Sequence, residues 1–175
     1  RAEQTSDIAG FDTRKVKSAK KGKLRGQGLC YYIESILGDP SEGISIIFKE
    51  DGTVDIFVGT QSNGQGHETV FAQFLSDQTG IPVDLVKVVQ GDSDLIAKGG
   101  GTGGSRSATT QNNATLVTVD IMIHAFQNYL SEKLEVALDD VEFDDEAFRI
   151  AGSNLSPSLL ECAKMVRSDG RNDLL

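Results

Sequence analysis

The sequence predicts an α+β fold: a two-layer mixed β-sheet with hairpins packed against helices, one of them long. Three observations carry this. Two strand-like runs, Ile44 to Lys49 and Thr53 to Val58, flank Asp51-Gly52, a strong two-residue hairpin signal. Between Ala108 and Leu138, Leu116, Val119, Ile123, Phe126, Leu130, Leu134 and Ala137 recur at three- and four-residue steps, the stripe of a long helix lying on a sheet. Strands and helices follow one another without strict alternation, which favours a mixed layered arrangement over a regularly wound parallel sheet.

Phe11 to Lys21 reads as a short helix stopped by Gly22. Leu24 to Ile36, with its Leu, Tyr, Tyr, Ile and Ile, is expected to form an extended strand. After the hairpin, Glu68 to Gln78 is a helix presenting Val70, Phe71, Phe74 and Leu75, and Gly80 with Pro82 ends it. Leu85 to Val89 is a buried-type strand, and the long helix follows. Val141 to Phe143 and Phe148 to Ile150 form a second small hairpin. Ser156 as N-cap and Pro157 at the first helical position open a last helix over 158–166.

With 175 residues, 38% apolar and 25% charged, the chain suits one soluble domain or a piece of a larger protein. No apolar stretch reaches membrane-spanning length and no signal-peptide core is present, so a cytoplasmic location without a membrane is expected. Cys30 and Cys162 lack metal-type spacing and read as buried thiols. The net charge of −9 argues against nucleic acid as a partner. The local basic stretch from Arg14 to Arg25 reads as a solvated helix face, and the acidic run from Asp139 to Glu146 as a solvated loop and strand edge.

Two glycine-rich runs, Gly59 to Thr69 and Gly99 to Ser107, each lead directly into a predicted helix. Glycine allows close backbone approach, and a helix start offers unpaired amides and partial positive charge. Together the runs suggest a pocket for a large phosphorylated ligand. Arg106, between Ser105 and Ser107, is expected to grip a phosphate in a bidentate manner. Gln65 can donate and accept toward a heteroatom-rich edge. The common owners of such runs do not fit. A dinucleotide fingerprint would place its third glycine where Thr69 stands, and no acidic residue closes the next strand. A P-loop lysine follows its glycines, whereas Lys98 precedes these. A zinc helix starting at His67 would need a second histidine where Phe71 stands. Asp92 and Asp94 read as an acid–base or magnesium pair or, more simply, as turn caps. His124 reads as a helix-surface residue. No nucleophile–base pair is evident, so neither catalytic residues nor a protein metal site is assigned.

At these runs the sequence resembles the molybdopterin-binding large subunits of the xanthine dehydrogenase, aldehyde oxidase and carbon monoxide dehydrogenase family. The resemblance lies in five ordered blocks: residues 23–29 (KLRGQGL), 51–54 (DGTV), 64–69 (GQGHET), 91–94 (GDSD) and 101–107 (GTGGSRS). It implies that Gln65, Gly66, His67 and Thr69 form one side of a cofactor pocket and Thr102, Ser105, Arg106 and Ser107 the other. The implied cofactor is the molybdenum cofactor, molybdopterin in its cytosine dinucleotide form. The implied activity is hydroxylation with oxygen from water, on aldehydes, purines or CO, with electrons leaving through iron–sulfur clusters and FAD on partner domains or subunits. The family's glutamate-bearing block, its upstream glycine–phenylalanine loop and any cysteine-rich iron–sulfur motif are not matched. The resemblance therefore implies an internal fragment, inactive in isolation and partnered by the remaining domains of the large subunit. Its parts would be an N-terminal helical segment (1–22), a cofactor-binding core (23–150) and a C-terminal helix and tail (151–175). The competing expectation is a non-catalytic nucleotide-binding or structural assembly module with the same fold.

Overall fold

The computed structural model describes all 175 residues and divides them into two compact units, Arg1–Glu34 and Ser35–Leu175. In the first unit, α1 (Ala2–Thr5) and α2 (Phe11–Ala19) flank a single tight turn over Ile8–Gly10. Asp7, in the left-handed region at φ 48°, accepts from the Gly10 amide and pairs with Arg14. α2 stops just before Gly22, whose φ of +67° ends the helix as its sequence predicts.

The expected strand over 24–36 does not form. Leu24, Leu29, Tyr31, Tyr32 and Ile33 are exposed, and the stretch makes no ladder hydrogen bonds. β-branched and aromatic residues favour a strand only where a partner strand and a packing face exist, and here neither is supplied. Cys30 lies in the same stretch and is exposed, contrary to the buried thiol expected. Cys162 is buried, and burial pushes its thiol pKa up to about 12.

The second unit is the α+β body. β1 (Ile44–Phe48) and β2 (Val54–Val58) form the predicted antiparallel hairpin, with Ile44 opposite Val58 and Phe48 opposite Val54. Its turn is built as the Asp51-Gly52 signal requires. Gly52 sits at φ +85°, and Asp51 Oδ1 accepts from the Thr53 amide and hydroxyl at 3.0 and 2.6 Å. β2 continues through α3 (His67–Thr79) to β3 (Val86–Val89), which pairs with it in parallel, giving the order β1-β2-β3. α3 turns Phe71, Ala72, Leu75 and Thr79 inward, while Val70, expected on that side, is exposed. Gly80, left-handed at φ 70°, closes it.

α4 spans Ser107–Leu134 and ends four residues before the predicted limit. Glu135 turns left-handed at φ 55°, and the Ser131 carbonyl accepts from both the Glu135 and Val136 amides. The predicted stripe holds from Val119 to Leu134. Toward the helix start, Leu116 is exposed, and the inward residues are polar instead: Ser107, Thr110, Gln111 and Thr115. Phe126, fully buried, is the joint of the body. Its ring lies 5.6 Å from Phe48 on the three-stranded sheet and 6.3 Å from Phe148 on the second hairpin, β4 (Val141–Asp144) with β5 (Ala147–Ile150).

α5 (Leu159–Ser168) buries Leu159, Cys162, Ala163 and Val166. Its N-cap is Ser158, not Ser156, and Pro157 stands before the cap. Ser158 and Glu161 form a reciprocal capping box that Ser156 has no acidic residue to complete. Arg167 and the Leu175 carbonyl complete the end of β1, bonding the Phe48 carbonyl and amide at 2.7 and 3.0 Å. Tyr129 donates to Asp169 at 2.7 Å, tying α4 to the end of α5.

Phe126→Ala is expected to lower unfolding stability in urea by about 3–5 kcal/mol, because it empties the joint between the two sheets. Leu116→Ala, on the exposed side of the same helix, should change it by no more than about 0.5 kcal/mol. Equal losses for the two would contradict this assignment of the core.

Candidate functional site

Both glycine runs leave the sheet at the carboxyl ends of the parallel pair β2 and β3, the end at which open α/β sheets present ligand crevices. The runs are fastened to each other. Thr102 Oγ1 accepts from the Gln61 amide at 2.9 Å and donates to the Gln61 carbonyl at 2.5 Å, and the Gly101 amide donates to the Gly59 carbonyl at 3.2 Å. At the crossing the backbones approach so closely that a Cβ on Gly99 would stand 2.6 Å from the Gly59 Cα. Only glycine satisfies that position. A cleft of about 350 Å³ opens beside the crossing, lined among others by Gln61, Asn63, Ser93 and Thr102.

Each run ends in a helix start without a side-chain cap. α3 begins after Gly66, left-handed at φ 80°, and α4 begins after Arg106. Their first-turn amides carry the positive ends of a 13-residue and a 28-residue helix. Such a donor set suits an anion and supplies no metal ligands. No group of three His, Cys, Asp or Glu side chains is gathered anywhere to hold a metal ion.

Residues 1–172 match the family model described as the molybdopterin cofactor-binding domain. This chain belongs to that family. The carbon monoxide dehydrogenase large chain of Afipia carboxidovorans is 32% identical over 163 residues, covering 87% of this chain and 20% of that one. The xanthine dehydrogenase molybdenum-binding subunit of Escherichia coli O157:H7 is 30% identical over 117 residues, covering 61% and 16%. Among solved structures, the Cu,Mo-CO dehydrogenase in its carbon monoxide reduced state aligns with a TM-score of 0.67 and 30% identity, over 92% of this chain and 23% of that one. The chain spans about a fifth of the length of the curated relatives it matches.

Within this molybdopterin-binding domain, the residues singled out by sequence fall into two groups. Gln65 and Thr69 are exposed at the mouth of α3, and Ser105 is exposed with a left-handed backbone at φ 54°. Gln65 folds back on its own run, accepting from the Asn63 amide at 2.5 Å. The others are part of the frame. Thr102 is the cross-link already described, and Ser107 donates to its hydroxyl at 3.4 Å. His67 is buried as the first residue of α3, its ring 4.8 Å from Phe71 and its Nδ1 without a partner. Arg106 is 5% exposed, and its guanidinium faces protein acceptors. The bidentate phosphate grip expected of it is not the use this geometry makes of its donors. Asp92 caps a turn, accepting from the Asp94 amide at 2.9 Å.

Sequence reasoning missed Glu42 and Gln90. Glu42 pairs with Arg106 across 64 positions. Gln90 accepts from the Ser62 amide at 2.9 Å and donates to Glu68, linking the end of β3 to the start of α3. Neither lies in a glycine run, and separations this long leave no local signal. Gln111 was missed for another reason, because a helical stripe is read from apolar residues. It is fully buried, donates to the Gly43 carbonyl at 3.2 Å and leaves its Oε1 unpartnered.

Burial holds the His67 pKa below its ordinary 6.5, opposed only in part by Glu68. Below about pH 6.5 the unfolded chain therefore takes up a proton at this site that the folded chain resists, so stability falls as pH falls. The thermal midpoint should decline between pH 7 and 5, a range above the ordinary carboxylate values. His67→Gln should flatten that decline. An unchanged slope in the variant would remove His67 as its source.

Proposed function

We propose that this chain is the portion of a molybdenum hydroxylase that holds the molybdenum cofactor by its pterin and phosphates. The observation that carries this reading is the pair of cross-linked glycine runs beside one cleft, each running on into a helix start without a side-chain cap. The fit is supported by the Gly59–Gly99 crossing, where a Cβ would block the backbone approach, and by a donor set made of amides, hydroxyls and a carboxamide. Gln65, Gly66, His67 and Thr69 would border the cofactor on one side, and Thr102, Ser105, Arg106 and Ser107 on the other. In this arrangement Gln65, Thr69 and Ser105 offer exposed polar groups, and the first-turn amides of α3 and α4 face the phosphates. A cleft of about 350 Å³ is small for a pterin dinucleotide, which accords with a pocket completed by other domains.

The bound cofactor supplies the redox chemistry, with oxygen drawn from water, while the protein binds and orients it. The whole enzyme would be an oxidoreductase acting on aldehydes, purines or CO, a range consistent with the relatives' names. We take the cofactor to be the cytosine dinucleotide form, the setting to be cytoplasmic, and the partners to be the rest of the large subunit with iron–sulfur and FAD domains or subunits.

Titration of the chain with cytidine diphosphate, followed by amide NMR, tests the reading. Binding should be weak, since only part of a pocket is present. The amides of residues 65–69 and 99–107 should shift, and cytidine without phosphates should leave them in place. Shifts absent there, or confined to the opposite end of the sheet near Lys49 and Lys164, would refute it.

A further inference from the structure

Resting on that reading, we propose that Glu42 and Arg106 form a buried clasp that shapes the second glycine run, and that Arg106 positions the pocket without holding the ligand itself. The guanidinium is nearly enclosed. Its Nε donates to the Asp39 carbonyl at 2.9 Å, and its Nη2 to the Ser41 carbonyl at 2.6 Å. Its Nη1 donates to Glu42 Oε2 and to the Gly101 carbonyl, both at 2.9 Å. To reach a phosphate in the cleft, the side chain would have to abandon three carbonyls and leave a carboxylate unpaired in the interior, and both steps are unfavourable.

Glu42 is the other half of the device. Its side chain is 1% exposed. Both carboxylate oxygens accept the Gly100 amide at 3.1 Å, and Oε1 also accepts the Gly43 amide at 3.1 Å. An amide that a glycine run would otherwise turn toward an anion is thus taken by an internal anion. The clasp also explains the glycine at position 100. A Cβ there would lie 2.5 Å from Arg106 Nη1, so the run lies flat against the guanidinium. One charge of each sign is buried together, and the pair lends the cleft no net charge. Attraction for an anion is left to the helix starts and the amides outside the clasp. The arginine's place in the sequence, between two serines at a helix start, matches a ligand-binding residue. Its surroundings match a fold-holding one.

Hydrogen exchange of individual amides in the full 175-residue chain, without ligand, tests the clasp directly. Glu42→Gln and Arg106→Gln should each speed exchange at residues 99–102 by roughly 5- to 30-fold while leaving the amides around Phe126 unchanged. Arg106→Lys keeps a positive charge beside Glu42 but lacks the planar fork, and should restore overall stability without restoring slow exchange in the run. If a single substitution prevents folding, the paired change Glu42→Leu with Arg106→Met removes both charges together. It should fold and show the same fast exchange in the run. The two single variants should also weaken cytidine diphosphate binding by the same factor. Unchanged exchange at 99–102, or binding lost in Arg106→Gln yet retained in Glu42→Gln, would overturn the proposal. Failure of the unaltered chain to bind cytidine diphosphate would count against the cofactor reading alone, because the exchange measurement judges the clasp without ligand.

Discussion

Because β2 and β3 run parallel, the chain leaves both strands at the same end of the sheet and crosses from one to the other through α3. That requirement brings two loops, about thirty residues apart in sequence, to one place. The two loops therefore share a small volume. The Gly59–Gly99 crossing is how the volume is shared. The Thr102 cross-link then fixes the two loops to each other, and the Glu42–Arg106 pair fastens the second loop to residues 39–43. Loops held to each other in this way leave little ordering to oppose the binding of a ligand.

α4 divides its work along its length. From Val119 onward its inward side is apolar and joins the two sheets through Phe126. Before that, the inward residues are Ser107, Thr110, Gln111 and Thr115. Thr110 and Thr115 return their hydroxyls to the helix's own carbonyls four residues back, and Gln111 reaches the Gly43 carbonyl. The polar half lies next to the glycine runs. It ties their neighbourhood into hydrogen bonds where an apolar side would only have packed, and the unpartnered oxygens of Thr60 and Gln111 belong to the same region.

Much of this was legible in the sequence where the cause is local. The Asp51-Gly52 turn, the Gly80 stop and the apolar stripe of α4 depend on nearby residues and formed as read. So did the two glycine runs with their helices. The errors have non-local or competing causes. Residues 24–36 have strand composition, but a strand needs a neighbour. Ser156 before Pro157 has the pattern of a helix start, whereas the Ser158–Glu161 box decides the start. Arg106 was visible and Glu42 was not, since a carboxylate in a polar stretch before β1 shows nothing of a partner 64 positions on.

The enclosure of the Glu42–Arg106 pair has a consequence for how the cleft responds to its medium. Dissolved ions weaken attractions between exposed charges over distances beyond about 8 Å at physiological ionic strength, and reach buried pairs far less. The uncapped helix starts that end the two runs belong to the first class, and the enclosed pair, with 5% and 1% of its side chains exposed, to the second. Ionic strength can therefore regulate how strongly an anion is drawn to this end of the sheet while the form that receives it stays the same.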